Sequence, residues 1–221
     1  MVGQSESGIK ISYATGNVSG NNRVGGLVGS IGFADIEDSY SSGSVSGANQ
    51  VGGLIGVLYG PVTVKNSVAG SSVSVAQGGI AGGFVGEIET IYFEGQRWWD
   101  QTWYLVKVDT TVDFFNNAWS PTVSAQNYKV GKVTIAEYTG AQSLAPAGDK
   151  ASMIINGSVF LNTELNAGVG DVTGITATAD AVALQSLISA IEETVLSSMP
   201  VTNGGTSSGG STTGGSTTGG S

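Results

Sequence analysis

Over residues 8–90 apolar and polar positions alternate in short bursts, and no helical period is sustained. Ile9 and Ile11 flank Lys10, and Val18 stands among polar neighbours. The bursts end in Gly, Asn or Ser, so the pattern predicts short strands joined by tight turns. Near the C-terminus the period changes. Leu184, Leu187, Ile188, Ile191 and Val195 follow the i, i+3, i+4, i+7 rule of an amphipathic helix, predicted over 180–197. Thr178 or Asp180 would be its N-cap, and Pro200 follows its end. Its stripe of Leu184, Leu187 and Ile191 must bury against β-structure. The expected partner is an open end of the sheet, whose unpaired backbone needs a cover.

The strand pattern repeats. SYATGNVSGNNRVGGLVG (12–29) lies over SYSSGSVSGANQVGGLIG (39–56), with Tyr13 on Tyr40, Gly16 on Gly43, Val18 on Val45 and Val24 on Val51, each pair 27 apart. A looser third copy, SVAGSSVSVAQGGIAGGFVG (67–86), places Gly70 27 after Gly43 and Gly86 30 after Gly56. Three residues are therefore gained, expected near AQGGIA. The leads GIKI (8–11), ADIED (34–38) and VTVK (62–65) open the three units. A period of this length signals stacked repeats, and 27 residues suit one three-sided turn of a coil of parallel strands. The expected class is all-β: a β-solenoid of the right-handed parallel β-helix kind, with a C-terminal helix and a flexible tail.

The glycines fit this reading. Alternation puts Val24 and Val28 on one side of VGGLVG and Leu27 on the other. Gly25, Gly26 and Gly29, with Gly52, Gly53, Gly56 and Gly86 in later units, would keep the adjacent layer clear. Leu27, Leu54 and Phe84 would form one internal column, neighbours about 5 Å apart.

VGGLVG, VGGLIG and the preceding YATGNVSG and YSSGSVSG resemble the GLUG motif repeat over roughly residues 5–90. That resemblance implies a bacterial surface exoprotein, either an adhesin of the filamentous-haemagglutinin type or the non-catalytic part of a secreted peptidase. The family's motif carries Cys or an aromatic before its Ala-Thr-Gly step; Ser12 and Ser39 stand here in place of that Cys, and Val68 stands where the third tyrosine would be.

From Gly95 glycine thins and aromatics crowd, with all four tryptophans between 98 and 119. The divisions expected are 1–94 repeats, 95–175 a β-rich continuation or cap, 176–200 the helix, and 201–221 a Gly/Ser/Thr linker. Lys plus Arg number 8 and Asp plus Glu 17, a net charge of −9, which argues against nucleic acid and anionic membrane as partners. Cys and His are absent, which removes disulfides, thiolate and zinc sites, and triads built on His. Residues 1–12 lack the basic and apolar regions of a signal peptide, so any secretion address would lie outside this chain. No window is apolar enough to span a membrane.

Chemistry has few footholds. The glycine-rich stretches match neither dinucleotide nor P-loop spacing. Asp35, Glu37 and Asp38, and Glu87, Glu89 and Glu94, form two acidic groups that read as solvated edges rather than calcium or catalytic sites. No metal, cofactor or catalytic residue is expected. The aromatic run is the one functional lead. Its default reading is core beneath a cap, since large aromatics are usually buried. As a glycan platform it would use Trp99 and Trp103, four apart and so on one side, with Tyr104 and Arg97 beside them and Trp98 turned inward as the anchor. The resulting expectation is a non-catalytic structural or adhesive segment, extracellular or on the cell surface. It would meet a host or matrix surface, a glycan among the candidates, or further copies through its ends, without entering a membrane. The alternatives are a carbohydrate-binding module and an accessory region of a secreted enzyme.

Overall fold

Inward-facing aliphatic columns organise the chain. The computed structural model describes residues 2–138, 149–159, 161, 175–178 and 181–198. They are mostly β, with extended sheets of parallel strands, few helices and no closed barrel. The first sheet holds Val2–Ser5, Val28–Gly32, Ile55–Tyr59, Val85–Glu89 and Val130–Thr134, in that order. The second holds Ile9–Lys10, Ile36–Glu37, Val62–Lys65, Thr110–Phe115 and Met153–Asn156. The third runs from Tyr13–Ala14 through Tyr40–Gly47, Val68–Val75 and Asn117–Trp119 to Ile175–Ala177, and Val18–Ser19 also pairs with its second strand. A fourth, smaller sheet holds Asn22–Gly25, Asn49–Gly52 and Ala81–Gly82. The chain visits the sheets in rotation, and each pass lands beside the last. Strands from beyond Gly95 extend the same first three sheets.

The 27-residue offset is the pairing register: Val28 faces Ile55, Ile9 faces Ile36, Tyr13 faces Tyr40 and Val24 faces Val51. The third unit's extra residues are not all near AQGGIA, as expected. Tyr59 faces Gly32 at 27, but Val64 faces Ile36 at 28, Val75 faces Gly47 at 28 and Ala81 faces Val51 at 30. One residue therefore enters at the corner after Tyr59 and two between 75 and 81. Gly43 consequently faces Ser71, not Gly70, while Val68 does take the place opposite Tyr40.

The interior is double, and this changes the reading of VGGLVG. Val24, Val51 and Ala81 bury with Val18, Val45 and Val73 in a small core between the third and fourth sheets. Leu27 and Val28 belong together in the main core, with Leu54, Ile55, Phe84 and Val85. Simple alternation fails here because the glycines carry the chain from one core into the other. At Gly25 the crossing backbone lies so close that a Cβ would collide with Val28 O and stand 2.6 Å from Gly56 N in the next pass. Leu27, Leu54 and Phe84 do occupy successive rungs, all buried: Leu27 N donates to Leu54 O at 2.9 Å and Leu54 N to Phe84 O at 3.0 Å.

Polar residues line one corner in step. Ser39 Oγ accepts from Ser12 N at 3.2 Å, Ser67 Oγ from Ser39 N at 3.4 Å and Asn117 Oδ1 from Ser67 N at 2.9 Å. Ser12 and Ser39, where the resemblance would place Cys, are thus rungs of a ladder joining one pass to the next. The residues just before them, Ile11, Asp38, Asn66 and Asn116, all have φ near +50°, which Asn and Asp tolerate best. Asn116 Nδ2 donates to Asn66 Oδ1, and Asn66 Nδ2 to Asp38 Oδ1, each at 2.9 Å.

Two helices are described. α1, Pro121–Ser124, is a single turn capped by Ser120, whose Oγ accepts from Val123 N at 3.2 Å. α2, Ala181–Ser198, is the helix the sequence period predicts. It packs Leu184 and Ile188 onto Tyr40, Val68 and Ala118, on the outer face of the third sheet and across its middle strands. The expectation of an end cap is therefore corrected: the helix covers a flank. Tyr40 and Val68 make an apolar strip there. Leu187, expected in the stripe, is 42% exposed. Asp180, Pro200 and the 201–221 linker lie outside the described residues.

A projecting hairpin as candidate binding site

Two antiparallel hairpins interrupt the passes, both at the corner between the first and second sheets. Ile91–Gln96 pairs with Trp103–Val108 between Glu89 and Thr110. Glu137–Tyr138 pairs with Asp149–Lys150 between Thr134 and Met153. The Tyr92 and Tyr138 rings meet at 6.0 Å and join the two at their bases.

The first hairpin carries the aromatic run, and the run is not core. Trp98 is 82% exposed, Trp99 64%, Trp103 51% and Tyr104 40%. Burial beneath a cap fails as a reading because Tyr92 and Val108 anchor only the base, and the strands then leave the body of the protein. The reading of Trp98 as an inward anchor fails with it, since Trp98 is the most exposed of the four. It sits in the turn, where strand alternation does not apply. The antiparallel register also divides the predicted set. Trp103 faces Gln96 across the ribbon and Tyr104 faces Gly95, so these neighbours lie on opposite faces. The Tyr104 ring lies over Gly95, where a Cβ would collide with it. Tyr104 shares its face with Phe93 and Val106, also exposed.

The tip is held by its own hydrogen bonds. Arg97 N donates to Thr102 O at 2.9 Å and Gln101 N to Arg97 O at 2.8 Å. Gln96 Nε2 donates to Gln101 O and Gln101 Nε2 to Trp98 O, each at 2.9 Å. Asp100 Oδ1 accepts from Thr102 N at 3.0 Å, and this bond, with help from Arg97, holds its carboxyl below the ordinary range. Arg97 Nη1 stands 3.9 Å from Asp100 Oδ2, both side chains being about half exposed. The Trp98 and Trp99 ring centres are 5.6 Å apart with their planes at 89°.

Five of the six residues in the two acidic groups find structural partners. Asp35 Oδ1 accepts from Thr63 N at 2.8 Å, Asp38 accepts from Asn66, and Glu37 lies between Lys10 at 3.3 Å and Lys65 at 3.9 Å. Glu87 is buried, accepts from Gln50 at 2.7 Å and from Thr134, and stands 4.0 Å from Lys132. Glu89 pairs with Arg23 at 3.1 Å; burial raises its pKa against the pull of that guanidinium. Among the described residues no group of three His, Cys, Asp or Glu could hold a metal. A groove of about 340 Å³ between α2 and the third sheet, lined by Asn66, Asn116, Thr176 and Leu187, contains no ionisable side chain.

One residue of consequence escaped the sequence reading. Phe84 N donates to Lys129 O at 2.9 Å, so Lys129 is the rung after Leu27, Leu54 and Phe84. Its side chain is buried, and Nζ donates to the carbonyls of Ser158, at 3.2 Å, and Ile175. Burial lowers its pKa to about 8. The available signal was Tyr128-Lys129-Val130-Gly131 beneath Gly83-Phe84-Val85-Gly86, a fourth and degenerate copy of the motif. A lysine at the inward position disguised it.

Comparison with known families finds the GLUG motif at residues 20–46. The match spans one repeat period, from the fourth sheet through the first and second to the third. The motif is typical of extracellular proteins. Neither the curated proteins nor the solved structures returned a match. Among the described residues no helix is long and apolar enough to cross a membrane.

Proposed function

We propose that this chain is a right-handed β-solenoid segment of a secreted or surface-displayed protein, and that it acts as a structural and adhesive element without catalysis. The stacked parallel strands supply a stiff body and the 91–108 hairpin supplies the contact. One observation carries this reading: a tip fixed by its own hydrogen bonds keeps three indole rings in solvent. Isolated exposed apolar residues are ordinary, but a clustered patch on a projecting element marks an interaction site. Flat aromatic faces with polar neighbours suit the apolar faces and hydroxyls of sugars, so the surface contacted is glycan-bearing.

The test is a corner exchange. Residues 90–109 are replaced by Gly-Pro, the short link the chain uses at 60–61 between the same two sheets. The expected product keeps its β-sheet circular dichroism and a single cooperative urea transition but no longer adheres to glycan-coated surfaces. Undiminished adhesion by the folded variant would overturn the assignment to the hairpin.

A further inference from the structure

Resting on that glycan reading, we infer that the hairpin tip grips the terminal residue of a neutral glycan, in the corner between Trp98 and Trp99, and not an internal stretch of a polysaccharide. A platform for a chain needs two or more coplanar rings, so that successive sugars lie flat along it. The tip offers the opposite arrangement. Its two most exposed rings stand at 89° with centres 5.6 Å apart, a floor and a wall. One sugar ring can stack on the floor and abut the wall, whereas a continuing chain would run into the wall. Trp103 does not extend the floor into a strip across the ribbon, because its cross-strand neighbour is Gln96, which has no ring to offer.

The rim has the chemistry for hydroxyls. The Arg97 guanidinium donates, and Asp100 accepts through Oδ2, its Oδ1 being committed to Thr102 N. The Thr102 N–H bond lowers the Asp100 pKa and so favours the ionised acceptor. Charge selects the neutral class. Residues 91–108 hold Arg97 and Lys107 against Glu94 and Asp100, a sum of 2 − 2 = 0, on a chain of net charge −9. Asp100 already offsets Arg97 there, so a carboxylate-bearing sugar gains little, and the long-range field opposes one. The same ion pair argues against a lipid bilayer, because inserting the tip would strip water from Arg97 and Asp100. The fixed loop lowers the ordering cost of binding, which a single-residue site needs.

The intact chain is tested against immobilised neutral oligosaccharides ending in galactose, glucose, mannose or N-acetylglucosamine. Each is presented whole, trimmed by one residue with an exoglycosidase, and capped with sialic acid, while zwitterionic phosphatidylcholine vesicles form a separate arm. The expected result is binding to at least one whole glycan, lost on trimming and on capping. It should weaken at least tenfold in Trp98→Ala and in Trp99→Ala, with unchanged melting temperatures. Binding that survives both trimming and capping would leave the glycan reading standing and overturn the terminal-residue site. Equal binding with and without the sialic acid cap would overturn the neutral selectivity. Absence of binding across the whole panel, with or without capture by the vesicles, would overturn both.

Discussion

The stacked passes and the 91–108 hairpin are both β-structure from one chain, yet they satisfy their backbones by opposite means. In the passes, each strand depends on its neighbours 26 to 58 residues away. In the hairpin every ladder partner lies within 17 residues and the turn bonds to itself. The passes bury their aliphatic residues and leave little slack, whereas the hairpin buries little and displays its rings. Long-range register thus builds a body that tolerates few substitutions, and local register builds an appendage whose surface is free to specialise.

The largest expected effect tests the body. Gly53→Val places a side chain where even a Cβ collides with Gly83 O and lies 3.3 Å from Ala69 Cβ. Backbone cannot yield there without breaking the pairing, so a loss of about 3 kcal/mol or more is expected, read from the urea midpoint. Asn117→Ala comes next. It removes the acceptor for Ser67 N and the donor to Val64 O, both buried, and should cost about 1–3 kcal/mol in the same assay.

Lys129 gives a pH signature. Its pKa is about 8 in the folded protein and about 10.4 in an unfolded chain, so between these values the unfolded state binds more protons. This residue's contribution to stability therefore rises from about pH 8 to about pH 10, where a paired acid would show nothing. Tyr40 acts in the opposite sense: burial, and its bond to Glu192, raise its pKa above the ordinary 10, so its contribution falls once unfolded tyrosine ionises. Lys129→Met should abolish the rise and keep the fall, as followed by thermal melts at half-unit pH steps. The smallest effect tests the appendage. Trp98→Ala should shift stability by less than about 0.5 kcal/mol, since the ring is 82% exposed. A loss comparable to that of Gly53→Val would erase the contrast between the two regions.

The parts legible in the sequence are those whose apolar positions recur at a fixed interval. The 27-residue period, the Leu27–Leu54–Phe84 column and the amphipathic helix are of this kind. What stayed hidden depends on meetings between distant segments. Alternation suggested that Val24 and Val28 share a side, but glycine-mediated crossing into a second core separates them. The flank that receives α2 is made by Tyr40, Val68 and Ala118, three residues whose adjacency only the register reveals. Strand alternation makes Trp98 an anchor, but the turn between Gln96 and Trp103 places it at the tip.

Both hairpins leave the body from the same edge. On successive passes that edge holds residues 33–35, 60–61, 90–109 and 135–152 between one strand and the next. The ends of each insert are strands paired with a neighbouring pass, so added length changes neither the rise nor the register of the stack. Closing a longer loop costs little more than closing a short one, about 0.6 kcal/mol per doubling. The edge is therefore a socket. Cassettes of differing length and chemistry can be exchanged there while the girder behind them is kept intact.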